Sequence, residues 1–219
     1  MKITKFAQSC FLVETNNKRI LVDPGYLEYE ESLLNDFWNN IDIILITHKH
    51  KDHIHMEAIN KILKNPKTKL YTTQEVKDAH NLNCEIIKEK DIISLDNIKI
   101  EVVGAVHGYI PPLKSGNEIK ENVGYIIDDG NKRFYQTSDT ICFDNEYKCD
   151  IVAVPICNHG LVMGPFEAGL FAKETGASLV IPMHYDNPKY PVDIELVKKE
   201  FDNQGINYKV LDIKESLEV

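Results

Sequence analysis

An apolar run, Ile41-Asp42-Ile43-Ile44-Leu45-Ile46, leads straight into Thr47-His48-Lys49-His50-Lys51-Asp52-His53. A nearly continuous aliphatic run of this kind reads as a strand covered on both faces. At its mouth stand four imidazole and carboxylate groups, all within residues 48–53. The pattern is H-x-H-x-D-H. Imidazole nitrogen and carboxylate oxygen together suit borderline divalent metals such as zinc, manganese or iron. In an extended or tightly turning segment, side chains at i and i+2 project to the same side. The spacing therefore predicts that His48, His50 and Asp52 converge, while His53 points elsewhere and serves a second metal.

The chain has 219 residues and 43% hydrophobic content, which predicts one domain over 1–219 with a sizeable core. A formal net charge of −9 repels nucleic acid and anionic membrane, so a phosphate-backbone binder is not expected. The five cysteines, Cys10, Cys84, Cys142, Cys149 and Cys157, are widely spaced and contain no C-x-x-C. They read as small buried hydrophobes in a reducing compartment rather than as a disulfide framework. Met1-Lys2-Ile3-Thr4-Lys5 is a charged, strand-like opening and not a signal peptide. No apolar stretch approaches the length needed to cross a bilayer. The expectation is a soluble cytoplasmic protein that acts on a small molecule.

Short β-rich runs open the chain at 2–7, 10–14 and 19–22, with Thr15-Asn16-Asn17-Lys18 as a hairpin turn. Residues 26–40 read as polar and irregular. Met56, Ile59, Ile62 and Leu63 have helical spacing, which predicts a helix over 56–63 stopped by Asn65-Pro66. Further strands are expected at 41–46, 70–72, 92–95, 98–103, 123–127, 133–136, 151–155, 179–182 and 208–213, and further helices at 74–80, 165–174 and 194–201. Strands punctuated by helices, with metal ligands at strand ends, predict an α+β chain of two sheets with outer helices.

A two-metal site needs more ligands than the first cluster supplies, and three later residues follow predicted strands. His107 comes after Val102-Val103-Gly104-Ala105-Val106, Asp139 after Tyr135-Gln136-Thr137-Ser138, and His184 after Val180-Ile181-Pro182-Met183. Taken in order, Asp23, His48-x-His50-x-Asp52-His53, His107, Asp139 and His184 resemble the metallo-β-lactamase superfamily of metal-dependent hydrolases. The chain is most similar to the branch of small hydrolases related to ascorbate-6-phosphate lactonase. Asn122-Val123-Gly124-Tyr125, Val162-Met163-Gly164-Pro165 with Glu167-Ala168, and Pro182-Met183-His184-Tyr185 carry that closer likeness.

The resemblance implies a four-layer αβ/βα sandwich with two metal ions, zinc by preference, in the cleft between the sheets. It implies that His48, His50 and His107 hold one ion, that Asp52, His53 and His184 hold the other, and that Asp139 bridges them. Asp23 would orient the site through hydrogen bonds. Lys49 and Lys51 stand where the family commonly has small residues, and His55 where the branch often has glycine.

Two such ions lower the pKa of a shared water, and the hydroxide formed would attack a carbonyl carbon or a phosphorus. Asp52, water or His159 would then protonate the leaving group. A small lactone or ester is the expected substrate. The rival readings are a phosphodiesterase, a di-iron oxidoreductase and a metal-binding protein without catalysis. The di-iron members of this fold carry a glutamate where His50 stands, and no ligand is broken here. Other residues have plainer readings. His55 reads as a helix start, His80 as a surface residue, and Lys49 and Lys51 as solvated charge. His159, after the strand 151–155, is open between substrate contact and a structural turn. The segment 108–121, which leaves the His107 strand with Tyr109-Ile110-Pro111-Pro112-Leu113, is a candidate lid.

Overall fold

The computed structural model describes residues 1–109 and 118–219. A first sheet begins as an antiparallel meander of β1 (Lys2–Lys5), β2 (Phe11–Thr15) and β3 (Lys18–Val22). It continues in parallel through β4 (Ile43–Leu45), β5 (Lys69–Thr72) and β6 (Glu85–Ile86). The second sheet repeats the scheme. β7 (Ile92–Leu95), β8 (Ile98–Gly104), β9 (Val123–Asp128) and β10 (Arg133–Gln136) are antiparallel, and β11 (Ile151–Pro155) and β12 (Leu179–Met183) then add in parallel. β13 (Ser216–Glu218) returns to the outer edge of β1 and completes sheets of seven and six strands.

Side-chain alternation sets the layers, because successive residues of a strand face opposite sides. Phe11 and Val13 of β2, Ile20 and Val22 of β3, and Ile43 and Leu45 of β4 face the second sheet. They meet Ile100, Tyr125, Phe134, Ala153 and Ile181 there. Phe11 and Phe134 close that middle core edge to face, ring centroids 5.5 Å apart. The intervening Leu12, Leu21 and Ile44 face outward, onto α1 (Leu33–Asp36), α2 (Met56–Ile62) and α3 (Gln74–His80). Across the molecule, Val152, Val154 and Val180 face α4 (Pro165–Thr175) and α5 (Ile194–Asn203), through Phe171, Val197 and Phe201. The result is helix, sheet, sheet, helix: the four-layer αβ/βα sandwich.

Local chemistry fixes the turns and helix ends. Asn16 and Asn17 have φ of 48° and 60°, the left-handed pair that a two-residue hairpin requires. Pro165 occupies the first turn of α4, and Gly176 ends it at φ 72°. His55 accepts a hydrogen bond from Ala58 N–H at the start of α2 and stacks on Tyr29, centroids 4.0 Å apart. It is a helix cap, as its position predicts.

Three expectations need correction. No strand forms over 208–213, where Tyr208 makes a single bridge to Val180. The last strand is instead the polar Ser216–Glu218, selected by the open edge of β1 rather than by composition. The short helix α1 lies within the supposedly irregular 26–40. His80 is half-buried, with Nε2 2.9 Å from the Lys49 carbonyl, rather than a plain surface residue. The lid assignment for 108–121 falls largely on 110–117, outside the described residues.

Candidate metal centre

β3, β4, β8, β10 and β12 all deliver their carboxyl ends to one edge of the sandwich. Asp23 follows β3, His48 to His53 follow β4, His107 follows β8, Asp139 follows β10 and His184 follows β12. Ligands in sheets of this kind collect outside the carboxyl ends of the strands. The side chains form two groups, His48 with His50 and His107, and Asp52 with His53, Asp139 and His184. Within each group the candidate ligand atoms lie within 4.8 Å of one another.

This grouping corrects one reading from spacing. Asp52 does not converge with His48 and His50, because residues 51–53 form a 3-10 turn. The twofold alternation stops at His50, which is still extended (φ −67°, ψ 148°). His48 Nε2 and His50 Nδ1 accordingly sit 3.1 Å apart, while Asp52 swings to the side of His53.

The donors fit divalent metal. Ligands about 2.1 Å from a tetrahedral ion lie about 3.4 Å from one another. His53 Nε2 is 3.3 Å from Asp139 Oδ2, His184 Nε2 is 3.0 Å from the same oxygen, and His184 Nε2 is 3.4 Å from Asp52 Oδ2. Asp139 Oδ2 also lies 3.9 Å from His107 Nε2, so one carboxylate touches both groups. His53 Nε2 is buried and has no hydrogen-bond partner. An orphaned buried nitrogen facing two carboxylates is what a metal ligand looks like without its ion. A set of imidazoles and carboxylates with no thiolate suits zinc, manganese or iron.

Hydrogen bonds on the far side of the rings aim these atoms. His53 Nδ1 lies 2.8 Å from Asp23 Oδ2 and His107 Nδ1 2.7 Å from the Gly108 carbonyl. Thr47 Oγ1 donates to Asp23 Oδ2 at 2.8 Å and so accepts from His48 Nδ1 at 3.0 Å. Each ring is thereby left with Nε2 toward the cluster. Asp139 is steadied by Ser9, whose Oγ donates to Oδ1 at 3.1 Å, and its backbone carbonyl accepts from Asn122 at 2.7 Å.

Charge divides the site. Burial and the neighbouring His53 hold His48 well below the usual imidazole value, and burial with His107 lowers His50. Both are neutral at pH 7. Burial also opposes charge on His53 and His184, but the carboxylates overcome it. Asp139, Asp23 and Asp52 raise His53 well above its usual value, and Asp139 and Asp52 raise His184 to about 10. In return, His53 and His184 outweigh burial at Asp52 and hold it at about 2.

His159 lies beside this cluster, not in it. It is half-buried, packs edge-on against Tyr190 with centroids 5.1 Å apart, and has its pKa lowered by burial and by the neighbouring His184. Lys49 turns away, with Nζ 2.6 Å from Glu75 Oε1 and 2.7 Å from the Glu118 carbonyl, and Lys51 is exposed. All five cysteines are free. Sequence reasoning missed Thr47, which directly precedes His48, Gln136 in β10, and Ser9 and Gln8 in the β1–β2 turn, all of which support the candidate ligands or Asp23. Only Thr47, adjoining the motif, carried a local signal.

A family model described as a β-lactamase superfamily domain matches residues 2–184. A UPF0173 metal-dependent hydrolase of Korarchaeum cryptofilum is 29% identical over 98% of this chain and 96% of its own length. One from Listeria welshimeri is 29% identical over the whole of both chains. The solved structure of Igni18, a metallo hydrolase of the archaeon Ignicoccus hospitalis, superposes with a TM-score of 0.80 at 24% identity, covering 100% of this chain and 98% of that one. Agreement over nearly the full length, on a fold that gathers metal-binding side chains at its strand ends, makes this chain a metal-dependent hydrolase of the metallo-β-lactamase superfamily.

Proposed function

We propose that the chain, acting as one unit over 1–219, hydrolyses a small lactone or ester at two divalent cations, zinc by preference. His48, His50 and His107 hold one ion, Asp52, His53 and His184 hold the other, and Asp139 is shared. The observation that carries this reading is the position of Asp139 Oδ2, 3.0 Å from His184 Nε2 in one group and 3.9 Å from His107 Nε2 in the other. When bound, the cations supply Lewis acidity and a water of lowered pKa.

The residues supply orientation and proton handling. Asp23 and Thr47 fix the tautomers of His53 and His48, so that each offers a lone pair. Asp52, partly open to solvent, takes the proton of the attacking water and returns it to the leaving group. His159, held against Tyr190 on the His184 side, has its pKa lowered by burial and by His184, and contacts the substrate as a hydrogen-bonding group rather than as a proton source. Lys49, between His48 and His50 in the chain, is engaged by Glu75 and gives no ready counter-charge for a phosphate. With a net charge of −9, this favours a neutral carbonyl substrate over a phosphodiester.

The test is turnover on panels of lactones, esters and phosphodiesters after reconstitution with zinc, manganese or iron. Lactone or ester hydrolysis that falls at least about 100-fold in Asp139→Ala is the expected result. Turnover confined to phosphodiesters would replace the substrate assignment. Hydrolysis that survives Asp139→Ala would remove the shared carboxylate from the mechanism.

A further inference from the structure

We propose that Lys5, Asp186 and Gln8 form a clamp that positions His184 and, through Ser9, the shared Asp139, and so sets the affinity of the second metal position more strongly than that of the first. The proposal rests on the two-metal reading above.

Lys5 lies in β1, and its side chain is wholly buried. Its Nζ donates to Asp186 Oδ2 at 2.6 Å and to the Phe6 carbonyl at 3.0 Å, and it stands 4.9 Å over the Tyr185 ring. Asp186 Oδ1 accepts from both the backbone N–H of Gln8, at 2.8 Å, and its side-chain Nε2, at 2.6 Å. The Gln8 carbonyl then accepts from His184 N–H at 3.2 Å. The next residue, Ser9, donates through Oγ to Asp139 Oδ1 at 3.1 Å. One turn between β1 and β2 therefore touches two members of the second ligand group, and the Lys5–Asp186 pair anchors that turn.

Backbone strain explains why an anchor is needed. Gln8 and His184 both adopt left-handed conformations, with φ of 56° and 62°. Neither is glycine, so each conformation persists only where its surroundings impose it. The clamp ties the two strained residues to one carboxylate. A buried charge pair is a poor device for stability alone, since an apolar pair of like volume serves a fold as well or better. Here the ammonium fixes where the carboxylate stands, and the carboxylate fixes the turn.

The effect is selective by construction. Among the described residues, His48 and His107 are supported by Thr47, Ser138 and the Gly108 carbonyl, none of which belongs to the clamp. Loosening the clamp moves His184 and Asp139 but leaves the three-histidine group in place.

The experiment is a cobalt(II) titration of metal-free full-length protein, read by visible absorption. Cobalt on three imidazoles absorbs differently from cobalt on imidazoles and carboxylates, so the two positions are followed separately. Lys5→Met with Asp186→Ala removes both charges and the acceptor for Gln8. Lys5→Met alone keeps the Gln8 bonds and serves if the double variant does not fold. The expected result is a second-position affinity about 10- to 100-fold weaker in the double variant, with a smaller loss in the single one. The first position keeps its three histidines and loses less, through the shared Asp139 only, and its retained affinity also certifies the fold. Equal weakening of both positions, or a second-position affinity within about twofold of wild type, overturns the clamp. A wild-type chain that saturates at one cobalt fails the two-metal reading instead, before any variant is compared.

Discussion

Asp23 is fully buried and accepts hydrogen bonds from Thr47 N–H, Thr47 Oγ1, Gln136 Nε2 and His53 Nδ1. Burial pushes its carboxyl up, against the pull of His53 and Thr47. An asparagine of the same size sets a second donor against His53 Nδ1–H and Thr47 Oγ1–H. His53 then adopts the other tautomer, and its Nε2 carries a proton where a lone pair is needed. Asp23→Asn is expected to weaken metal binding about 10- to 100-fold with little change in fold, as measured by competition with a chelator. Unchanged affinity would show that Asp23 does not orient His53. At this scale the candidate ligands were legible because each follows a predicted strand. Gln8, Gln136 and Ser9 were not, since they act across sheets and share no spacing with the motif. Spacing also misled at Asp52, where a 3-10 turn replaced the extended chain.

At the scale of elements, two close approaches hold the β3 exit and the 157–164 loop against the site. A Cβ on Gly25 would lie 1.7 Å from the Asp52 carbonyl oxygen, and one on Gly108 would lie 2.4 Å from the Gly160 carbonyl oxygen. Backbone cannot yield at that distance without moving the metal motif. Gly25→Ala is therefore expected to cost about 1–3 kcal/mol of stability and to weaken metal binding as Asp52 is displaced. Denaturant unfolding and metal titration check the two effects, and wild-type values in both would contradict the packing. Most strands were legible from β-rich runs and turn residues, since the Asn16-Asn17 pair marks a hairpin directly. The polar β13 was not, because a strand of three residues owes its pairing to β1 rather than to its own side chains.

For the whole molecule, the alternation of Phe11, Leu12 and Val13, repeated in every central strand, specifies three hydrophobic layers and so two sheets between helices. No described helix is long and apolar enough to cross a membrane. The edge where the strands end concentrates charge, and this gives the metal-free protein a defined pH response. His184, raised to about 10, has an unfolded value of about 6.5. Its contribution to stability is full below about pH 6.5 and is lost as the pH rises through about 10. Asp52, held at about 2, works in the opposite sense. Its contribution is full above about pH 3.9 and is lost as the pH falls through about 2. Metal-free protein is expected to melt at falling temperature as the pH rises from 7 to 9. Metal-loaded protein does not follow, since its histidines are neutral ligands and protons compete less as the pH rises. Calorimetry on both forms decides this, and a metal-free melting temperature that climbs over that range would contradict the charge assignment.

The proposed chemistry requires two metal ions that share Asp139. Anomalous diffraction at the zinc absorption edge, from crystals of zinc-reconstituted protein, tests it most directly. Two peaks per chain are expected, one among His48, His50 and His107 and one among Asp52, His53 and His184, with Asp139 bonded to both. A single peak, or a second peak away from Asp139, would contradict it.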